Sequence, residues 1–262
     1  MYKKLYFTLI GGDRMHLARK IEKKIKLLVE EANTVTKYRE PLVGFASAHD
    51  SLFTQIKEII GKHHAHPKEL LPEAKTVISF FIPFAQDVVI SNRIDDEVSR
   101  EWAVAYIETN ALIEYICKEL MKELSLYGIK SFNEKATHNF NEVDLTASWS
   151  HRSAAYIAGL GTFGVNHMLI TSSGCAGRFG SIIISAEISP TPRPKTNFCK
   201  YFREEKCLAC VKNCPTGALQ AQSFDKFKCY EHLLKIDKRF TDLGLADVCG
   251  KCTVGPCAFS SF

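Results

Sequence analysis

The stretch CLACVKNCPTGAL, residues 207–219, contains the cysteine spacing that decides how this part of the chain folds. Cys207, Cys210 and Cys214 are separated by two and three residues, and Pro215 follows the third cysteine. These are the last three cysteines and the proline of the C-x2-C-x2-C-x3-C-P run. In that run three thiolates hold one iron–sulfur cluster and the fourth binds another. The stretch therefore predicts two [4Fe–4S] clusters.

Eight of the ten cysteines lie between positions 199 and 257, which is enough for two sets of four ligands. The first cysteine of the run is missing, because Glu204 stands three residues before Cys207. Cys199 is the expected replacement, since the entropy cost of closing a loop grows only slowly with its length. The crossing of the fourth cysteine to the other cluster predicts the sets Cys199, Cys207, Cys210 and Cys257, and Cys214, Cys229, Cys249 and Cys252.

Structural zinc and disulfide bonds are the two alternatives for these cysteines. Cys-x2-Cys pairs are equally suitable zinc ligands, but the Pro-Thr-Gly-Ala sequence after Cys214 favours clusters. The apolar run at residues 5–10 is too short for the core of a signal peptide, which disfavours disulfides. We therefore expect a cytoplasmic iron–sulfur protein.

Length and composition set broad limits on the fold and on its partners. A chain of 262 residues, 46% of them hydrophobic, has room for one large domain or two smaller ones around a buried core. The formal net charge of +5 gives only weak support for an anionic partner. No segment approaches about 18 uninterrupted apolar residues, so neither a membrane span nor a membrane partner is expected.

Apolar periodicity predicts the secondary structure of the first part of the chain. Residues 5–10 are expected to form a strand, and residues 16–32 an amphipathic helix. The apolar run at 76–81 predicts a buried strand. Residues 95–127 carry the longest helical pattern, which Gly128 ends.

A glycine-rich segment, residues 159–180, lies between a short predicted helix and an apolar strand predicted at 181–188. Glycines let a flat cofactor approach the backbone, although tight packing alone is the alternative explanation. The phosphate-loop and dinucleotide-binding patterns do not fit its spacing. The prolines of SPTPRPKTN, residues 189–197, predict a linker between domains 1–190 and 191–262.

Three stretches resemble the epoxyqueuosine reductase family, and most closely its short relatives: PKELLPEAKTVISFFIP, AGLGTFG and CLACVKNCPTGAL. The resemblance covers residues 41–257. It implies an α+β fold, in which a nitroreductase-like α/β domain is joined to a C-terminal ferredoxin-like domain with two [4Fe–4S] clusters. It also implies the two ligand sets given above, cobalamin at the domain junction, and reduction of an epoxide on a modified tRNA base.

The predicted catalytic residues lie where the chain departs from this family. The resemblance aligns the family's proton-donating aspartate with Leu145, the residue after Asp144. Residues 149–152, WSHR, replace an acidic, proline-containing segment and offer His151 as a polar group. A proton donor needs a pKa near the working pH, which burial can produce for a carboxyl or a histidine. We therefore predict Asp144 and His151 as the catalytic residues.

The cofactor is expected against the glycine-rich segment. Small residues there would let a wide ring approach the backbone, while apolar and hydrogen-bonding side chains would cover its faces and edges. An Asp-x-His-x2-Gly motif is absent, so we expect no protein histidine as a lower ligand to cobalt. The predicted cofactor-binding residues are Gly161, Thr162, Phe163, Gly164, Val165, Asn166, Met168, Ile170, Thr171, Ser172, Tyr230 and Glu231.

The predicted function is an iron–sulfur oxidoreductase that depends on a corrinoid. A ferredoxin or flavodoxin would supply electrons, and the two clusters would pass them to the cofactor, which carries the difficult chemistry. The substrate is left open, a small molecule or a modified nucleoside, and tRNA is doubtful. Two alternatives remain: a flavin-dependent reductase on the same architecture, and an electron carrier without a substrate of its own.

Replacing Cys199 tests the ligand assignment. Cys199→Ser should lower the iron content and alter the EPR signal of one cluster while leaving the other intact. Cys117→Ser, outside both sets, is the control and should preserve both signals. Unchanged iron and unchanged spectra in Cys199→Ser would show that another group completes the first set.

Overall fold

The structure is a computed structural model and describes residues 11–94, 97–135, 137 and 139–261. The strand predicted at 5–10 lies outside the described residues. The helices are α1 (Gly11–Glu30), α2 (Ser51–Ile60), α3 (Pro67–Leu70), α4 (Gln86–Ile94), α5 (Arg100–Leu126), α6 (His151–Ile157), α7 (Lys200–Glu204), α8 (Ala209–Lys212) and α9 (Lys226–Arg239). The strands are β1 (Leu42–Ser47), β2 (Thr76–Pro83), β3 (Ser131–Phe132), β4 (Phe140–Asn141), β5 (Thr146–Ala147), β6 (Gly161–Phe163), β7 (Leu169–Thr171) and β8 (Gly177–Ile184). Two 3-10 turns lie at Lys251–Thr253 and Pro256–Ala258.

Four antiparallel strands form the central sheet, in the order β1-β2-β8-β3. β2 is buried along its whole length, as its run of apolar residues predicted. β8 pairs with β2 along its whole length, but it lies earlier than the strand predicted at 181–188. That boundary was wrong because β8 begins with glycine and arginine, which do not read as an apolar strand. A Cβ at Gly180 would overlap Phe80 of β2, so this position needs a glycine.

Helices cover both faces of the sheet. Alternate residues of a strand point to opposite faces. Ile78 and Phe80 of β2 therefore join a hydrophobic cluster with α1 and α5, and Val77 joins a cluster with α2 and α6. This arrangement confirms the predicted mixture of helices and sheet.

The two long helices, α1 and α5, confirm the helices predicted from the apolar periodicity. α1 begins earlier than the predicted residue 16. α5 begins after Ser99, whose hydroxyl accepts a hydrogen bond from the backbone N–H of Trp102 (3.2 Å). It ends just before Gly128, which adopts the left-handed conformation expected of a helix stop (φ +70°). Within the described residues, each helix is too short or too polar to cross a membrane.

The cysteine-rich segment packs against the first part of the chain. Ile236 on α9 and Val254, just after the first 3-10 turn, share a hydrophobic cluster with Trp102 on α5. The division into domains 1–190 and 191–262 stays a prediction, and this cluster contains residues from both sides of it. The contact fixes where the cysteines lie relative to the sheet.

A chain of buried hydrogen bonds fixes α6 to the sheet. The indole Nε1–H of Trp149 donates to the hydroxyl of Ser181 on β8 (2.9 Å). That hydroxyl then donates to Nδ1 of His151 (2.8 Å), so Nε2 carries the ring proton and donates to the carbonyl of Lys135 (2.9 Å). Burial lowers the pKa of His151 to about 4, and the ring is therefore neutral at neutral pH.

Acidification should destabilise the fold through His151. Its pKa is about 4 in the folded chain against an ordinary value of 6.5, so the unfolded state binds more protons between these values. The stabilisation is fully present above pH 6.5. It falls by about 3 kcal/mol as the pH drops towards the folded-state pKa. Chemical denaturation across this range should show a shallower decrease for His151→Gln than for the wild type.

Thr54→Ser changes an exposed residue that carries no titratable group, and it is the control for this experiment. It should keep the wild-type dependence on pH. Burial also lowers the pKa of His64 to about 4, but that contribution is common to all three proteins and cancels in the comparison. Equal pH dependence in the wild type and in His151→Gln would contradict the prediction.

Candidate cofactor site

The first cysteine group consists of Cys199, Cys207, Cys210 and Cys257, and its members line one small cavity. Cys199 precedes α7, Cys210 lies in α8, and Cys257 lies in the second 3-10 turn. Burial raises the pKa of Cys210 to about 11, and the nearby Cys257, Cys199 and Cys207 add to this rise. The structure thus brings together the four residues predicted as one ligand set.

The second cysteine group consists of Cys214, Cys229, Cys249 and Cys252, which line a larger cavity of about 420 Å³. Burial raises the pKa of Cys229 to about 11, with contributions from Cys249 and Cys214. Burial and the other three thiols of the group raise the pKa of Cys252 as well. Each predicted set of four cysteines therefore lines a cavity of its own.

Among the residues that the structure describes, no three His, Cys, Asp or Glu side chains converge as ligands of a single metal ion. In a four-iron cluster each thiolate binds a different iron atom, so cluster ligands need not converge on one point. The donor set of each group, four cysteine sulfurs, is the set that such clusters use.

Cys175 and Asn166 connect the two groups. The buried thiol of Cys175 lies 3.7 Å from the sulfur of Cys257 in the first group. Nδ2 of Asn166 donates to the carbonyl of Cys252 in the second group (3.0 Å) and lies 3.8 Å from the sulfur of Cys175. The groups are therefore linked through buried side chains that belong to neither set.

The larger cavity adjoins a second one of about 340 Å³, and we call the two together the joined cavity. Each part has the size of a typical ligand site. One wall carries the second cysteine group, and another carries α6 and the start of β8. The residues that line both parts are Thr137, Phe140, Arg152, Met168, Gly177 and Arg178.

Two arginines give the joined cavity a positive wall. Arg152 donates from Nη1 to the carbonyl of His167 (3.0 Å) and also contacts the sulfur of Met168 (3.0 Å). The guanidinium of Arg178 lies 4.3 Å from the ring centre of Tyr106, and its buried Nε has no hydrogen-bond partner among the described residues. Burial lowers the pKa of Arg178, whereas Arg152 is exposed. Arginine nevertheless stays protonated in proteins, so this wall suits groups that accept hydrogen bonds.

Neither predicted proton donor presents a free acidic group to the cavity. Asp144 is exposed on a turn, where its carboxylate accepts hydrogen bonds from the hydroxyl (2.5 Å) and the backbone N–H (3.1 Å) of Thr146. The hydroxyl of Thr146 is the main cause of its lowered pKa. Leu145, not Asp144, lines the cavity. His151 also lines it, but both of its ring nitrogens are bonded within the protein.

Three of the predicted cofactor-binding residues line the joined cavity: Asn166, Met168 and Tyr230. Val165 and Ile170 instead line the cavity of the first cysteine group. Glu231 is exposed and pairs with Lys235 (3.0 Å). The residues Gly161, Thr162, Phe163, Gly164, Thr171 and Ser172 line neither part of the joined cavity.

In the hairpin of β6 and β7, residues of the glycine-rich segment make close contacts within the protein. A Cβ at Gly161 would overlap the carbonyl of Ile170 on the paired strand. The hydroxyl of Thr162 accepts a hydrogen bond from the backbone of Phe198 (2.7 Å), and that of Thr171 donates to the carbonyl of Gly174 (2.7 Å). These residues serve tight packing, which was the alternative explanation.

Sequence reasoning missed several residues of the cavity wall. His167 stacks on Phe224, with ring centres 5.1 Å apart. The hydroxyl of Tyr106 donates to the carboxylate of Asp247 (2.7 Å), next to Arg178. In the sequence, Tyr106 was visible only as one apolar position of a helical stripe, because its role depends on residues that are distant along the chain.

Comparison with known proteins shows which sequences this chain resembles. No family model matches the chain. An epoxyqueuosine reductase of Francisella cf. novicida is 30% identical over 199 residues, covering 70% of this chain and 51% of that protein. An epoxyqueuosine reductase of Vibrio cholerae is 29% identical over 177 residues, covering 66% and 45%. The chain thus spans about half the length of the curated relatives it matches.

Solved structures share the fold over most of the chain. An epoxyqueuosine reductase crystallised with an epoxyqueuosine-modified tRNA-Tyr stem loop aligns with a TM-score of 0.61 at 18% identity, covering 95% of this chain and 67% of that one. A reductive dehalogenase whose structure suggests a mechanism for B12-dependent dehalogenation aligns with a TM-score of 0.55 at 16% identity, covering 87% and 30%. These structures show a shared fold, and the sequence identity to the curated reductases identifies the chain as a relative of the epoxyqueuosine reductase family, as its motifs predicted.

Proposed function

We propose that the chain is a corrinoid-dependent iron–sulfur oxidoreductase. The two cysteine groups would each hold a [4Fe–4S] cluster, and the corrinoid would occupy the joined cavity. The observation that carries this proposal is that all four cysteines of the second group line the same cavity as Arg152 and Met168. A cluster in that group would therefore border a ligand-sized space whose occupant could accept its electrons.

The walls of the joined cavity have the chemistry that a corrinoid requires. Phe140, Met168 and Phe224 offer apolar surface that excludes water. Asn166 and Arg152 offer amide and guanidinium groups for the polar edge of the ring, whose burial requires hydrogen bonds. When bound, the cobalt of the corrinoid would supply the redox chemistry that protein side chains lack. A B12-dependent mechanism is named for the dehalogenase that shares the fold, which supports this choice of cofactor.

Electron entry is proposed at the first cysteine group. Cys207 of that group is exposed, whereas no member of the second group is. A ferredoxin or flavodoxin could therefore approach the first group, and the buried contacts of Cys175 and Asn166 connect it to the second. In this proposal the clusters pass electrons in that order, towards the joined cavity.

The alternatives differ in what fills the cavity. A carrier without a substrate has no need of a ligand-sized space beside its second cluster, so the joined cavity favours an enzyme. A flavin would also suit an apolar cavity with a few polar groups. The B12-dependent neighbour is the reason for preferring the corrinoid.

Cobalamin binding tests the cofactor. Cob(II)alamin added to anaerobic, cluster-loaded protein should give the EPR spectrum of the base-off form, because no protein histidine is expected as its lower ligand. Met168→Trp should fill the cavity and return the spectrum to that of free cobalamin with the iron content unchanged. The control is Glu231→Ala, at an exposed residue outside the cavity, and it should bind like the wild type.

A free-cobalamin spectrum with the wild-type protein would reject the corrinoid. The appearance of oxidised flavin absorption after acid removal of the clusters would instead support the flavin alternative.

A modified tRNA base is the substrate to test first, because a related reductase was crystallised with a tRNA stem loop. Leu145 lines the cavity where the resemblance implies a proton-donating aspartate. General acid catalysis contributes about 10²–10⁴-fold to a rate. Leu145→Asp should therefore raise the rate at which the reduced, cofactor-loaded protein converts the epoxide of such a stem loop, by about tenfold or more.

Leu145→Asn, which has a similar shape but no acidic proton, is the control and should not raise the rate. A rate unchanged by Leu145→Asp would show that the proton comes from another group.

A further inference from the structure

Trp102 is a residue of α5 whose indole N–H is buried. The residue is 4% exposed, and Nε1 has no hydrogen-bond acceptor among the described residues. Buried polar groups in native proteins are nearly always paired, since leaving one unpaired costs free energy. The unpaired N–H therefore points to an acceptor that the described residues do not supply.

The indole lies in the wall of the cavity that the second cysteine group lines. Gly250 stands between Cys249 and Cys252 and packs directly against the indole. A Cβ at Gly250 would overlap Nε1 and two neighbouring ring carbons. The loop that carries two of the four cysteines is therefore seated on the edge of Trp102 that bears the proton.

Other polar groups fix this loop in place. Nδ2 of Asn92 donates to the carbonyl of Cys249 (2.9 Å), and Nζ of Lys251 donates to the carbonyl of Asn92 (2.8 Å). The indole ring of Trp102 is fixed by Phe84. The two aromatic rings meet edge to face, with their centres 5.0 Å apart. Both the loop and the N–H thus have defined positions on the same wall.

We propose that Nε1–H of Trp102 donates a hydrogen bond to a sulfur of the cluster held by the second cysteine group, and that this bond raises the reduction potential of that cluster. The inference rests on the proposed function for the presence of the cluster. Reduction adds one electron, and a hydrogen-bond donor stabilises the more negative reduced state more than the oxidised state. Hydrogen bonds to the sulfurs are among the factors that set cluster potentials. Trp102 thus sets the reduction potential at which the second cluster accepts electrons.

A redox titration followed by EPR tests the effect on potential. Trp102→Phe keeps an aromatic ring but removes the N–H, so the midpoint of the second cluster should shift to a more negative value. The midpoint of the first cluster should not move. The second cluster is identified as the signal that Cys229→Ser removes. An unchanged second midpoint in Trp102→Phe would overturn the proposal.

Trp149→Phe is the matched control, because Trp149 is the other tryptophan of the chain. Its indole N–H already donates to the hydroxyl of Ser181 (2.9 Å), and it packs in a different hydrophobic cluster. Both midpoints should therefore stay at their wild-type values in Trp149→Phe. A shift of the second midpoint in this variant equal to that in Trp102→Phe would count against the proposal.

Nitrogen labelling separates the hydrogen bond from a change in packing. With ¹⁵N in the indole nitrogens, pulsed EPR of the reduced second cluster should show a ¹⁵N coupling that Trp102→Phe removes and Trp149→Phe keeps. Two bound clusters without this coupling would overturn the inference and leave the proposed function standing. Protein that binds no cluster at its cysteines would overturn both.

Discussion

The seating of the cysteine segment on α5 is the contact on which the site depends. Gly250 lies against the indole of Trp102, where no larger residue fits. Ile236 and Val254 join the same hydrophobic cluster. Because four thiols repel one another once they ionise, a fold that gathers them needs stabilisation from elsewhere. This apolar contact provides it, and it also sets the second cysteine group against the joined cavity.

The prediction of the cysteine sets rests mainly on local spacing. Spacing within CLACVKNCPTGAL limits which thiols can share a cluster, and the structure gathers Cys199 and Cys257 with the first two of them. The buried strand and the two long helices were likewise visible as apolar patterns. The start of β8 was not, because glycine and arginine there serve the packing of neighbouring layers and the cavity wall.

The cavity wall was harder to predict, since its residues come from elements that are distant in sequence. Tyr106 on α5, Arg178 on β8 and Asp247 before the first 3-10 turn meet only after folding. Most of the glycine-rich segment lies outside the joined cavity, and glycine in the β6–β7 hairpin relieves contacts with paired backbone. His151 was predicted as a proton donor from the sequence, and its hydrogen bond to Ser181, which connects α6 to the sheet, could not be read there.

The nesting of the two cysteine groups also sets the order in which their members become available during synthesis. Cys199 and Cys257 belong to one group, and every member of the other group lies between them along the chain. The second group is complete once Cys252 has been made, whereas the first group still needs Cys257. Under the proposed function, the ligands of the cluster beside the joined cavity would therefore be complete before those of the cluster at which electrons enter.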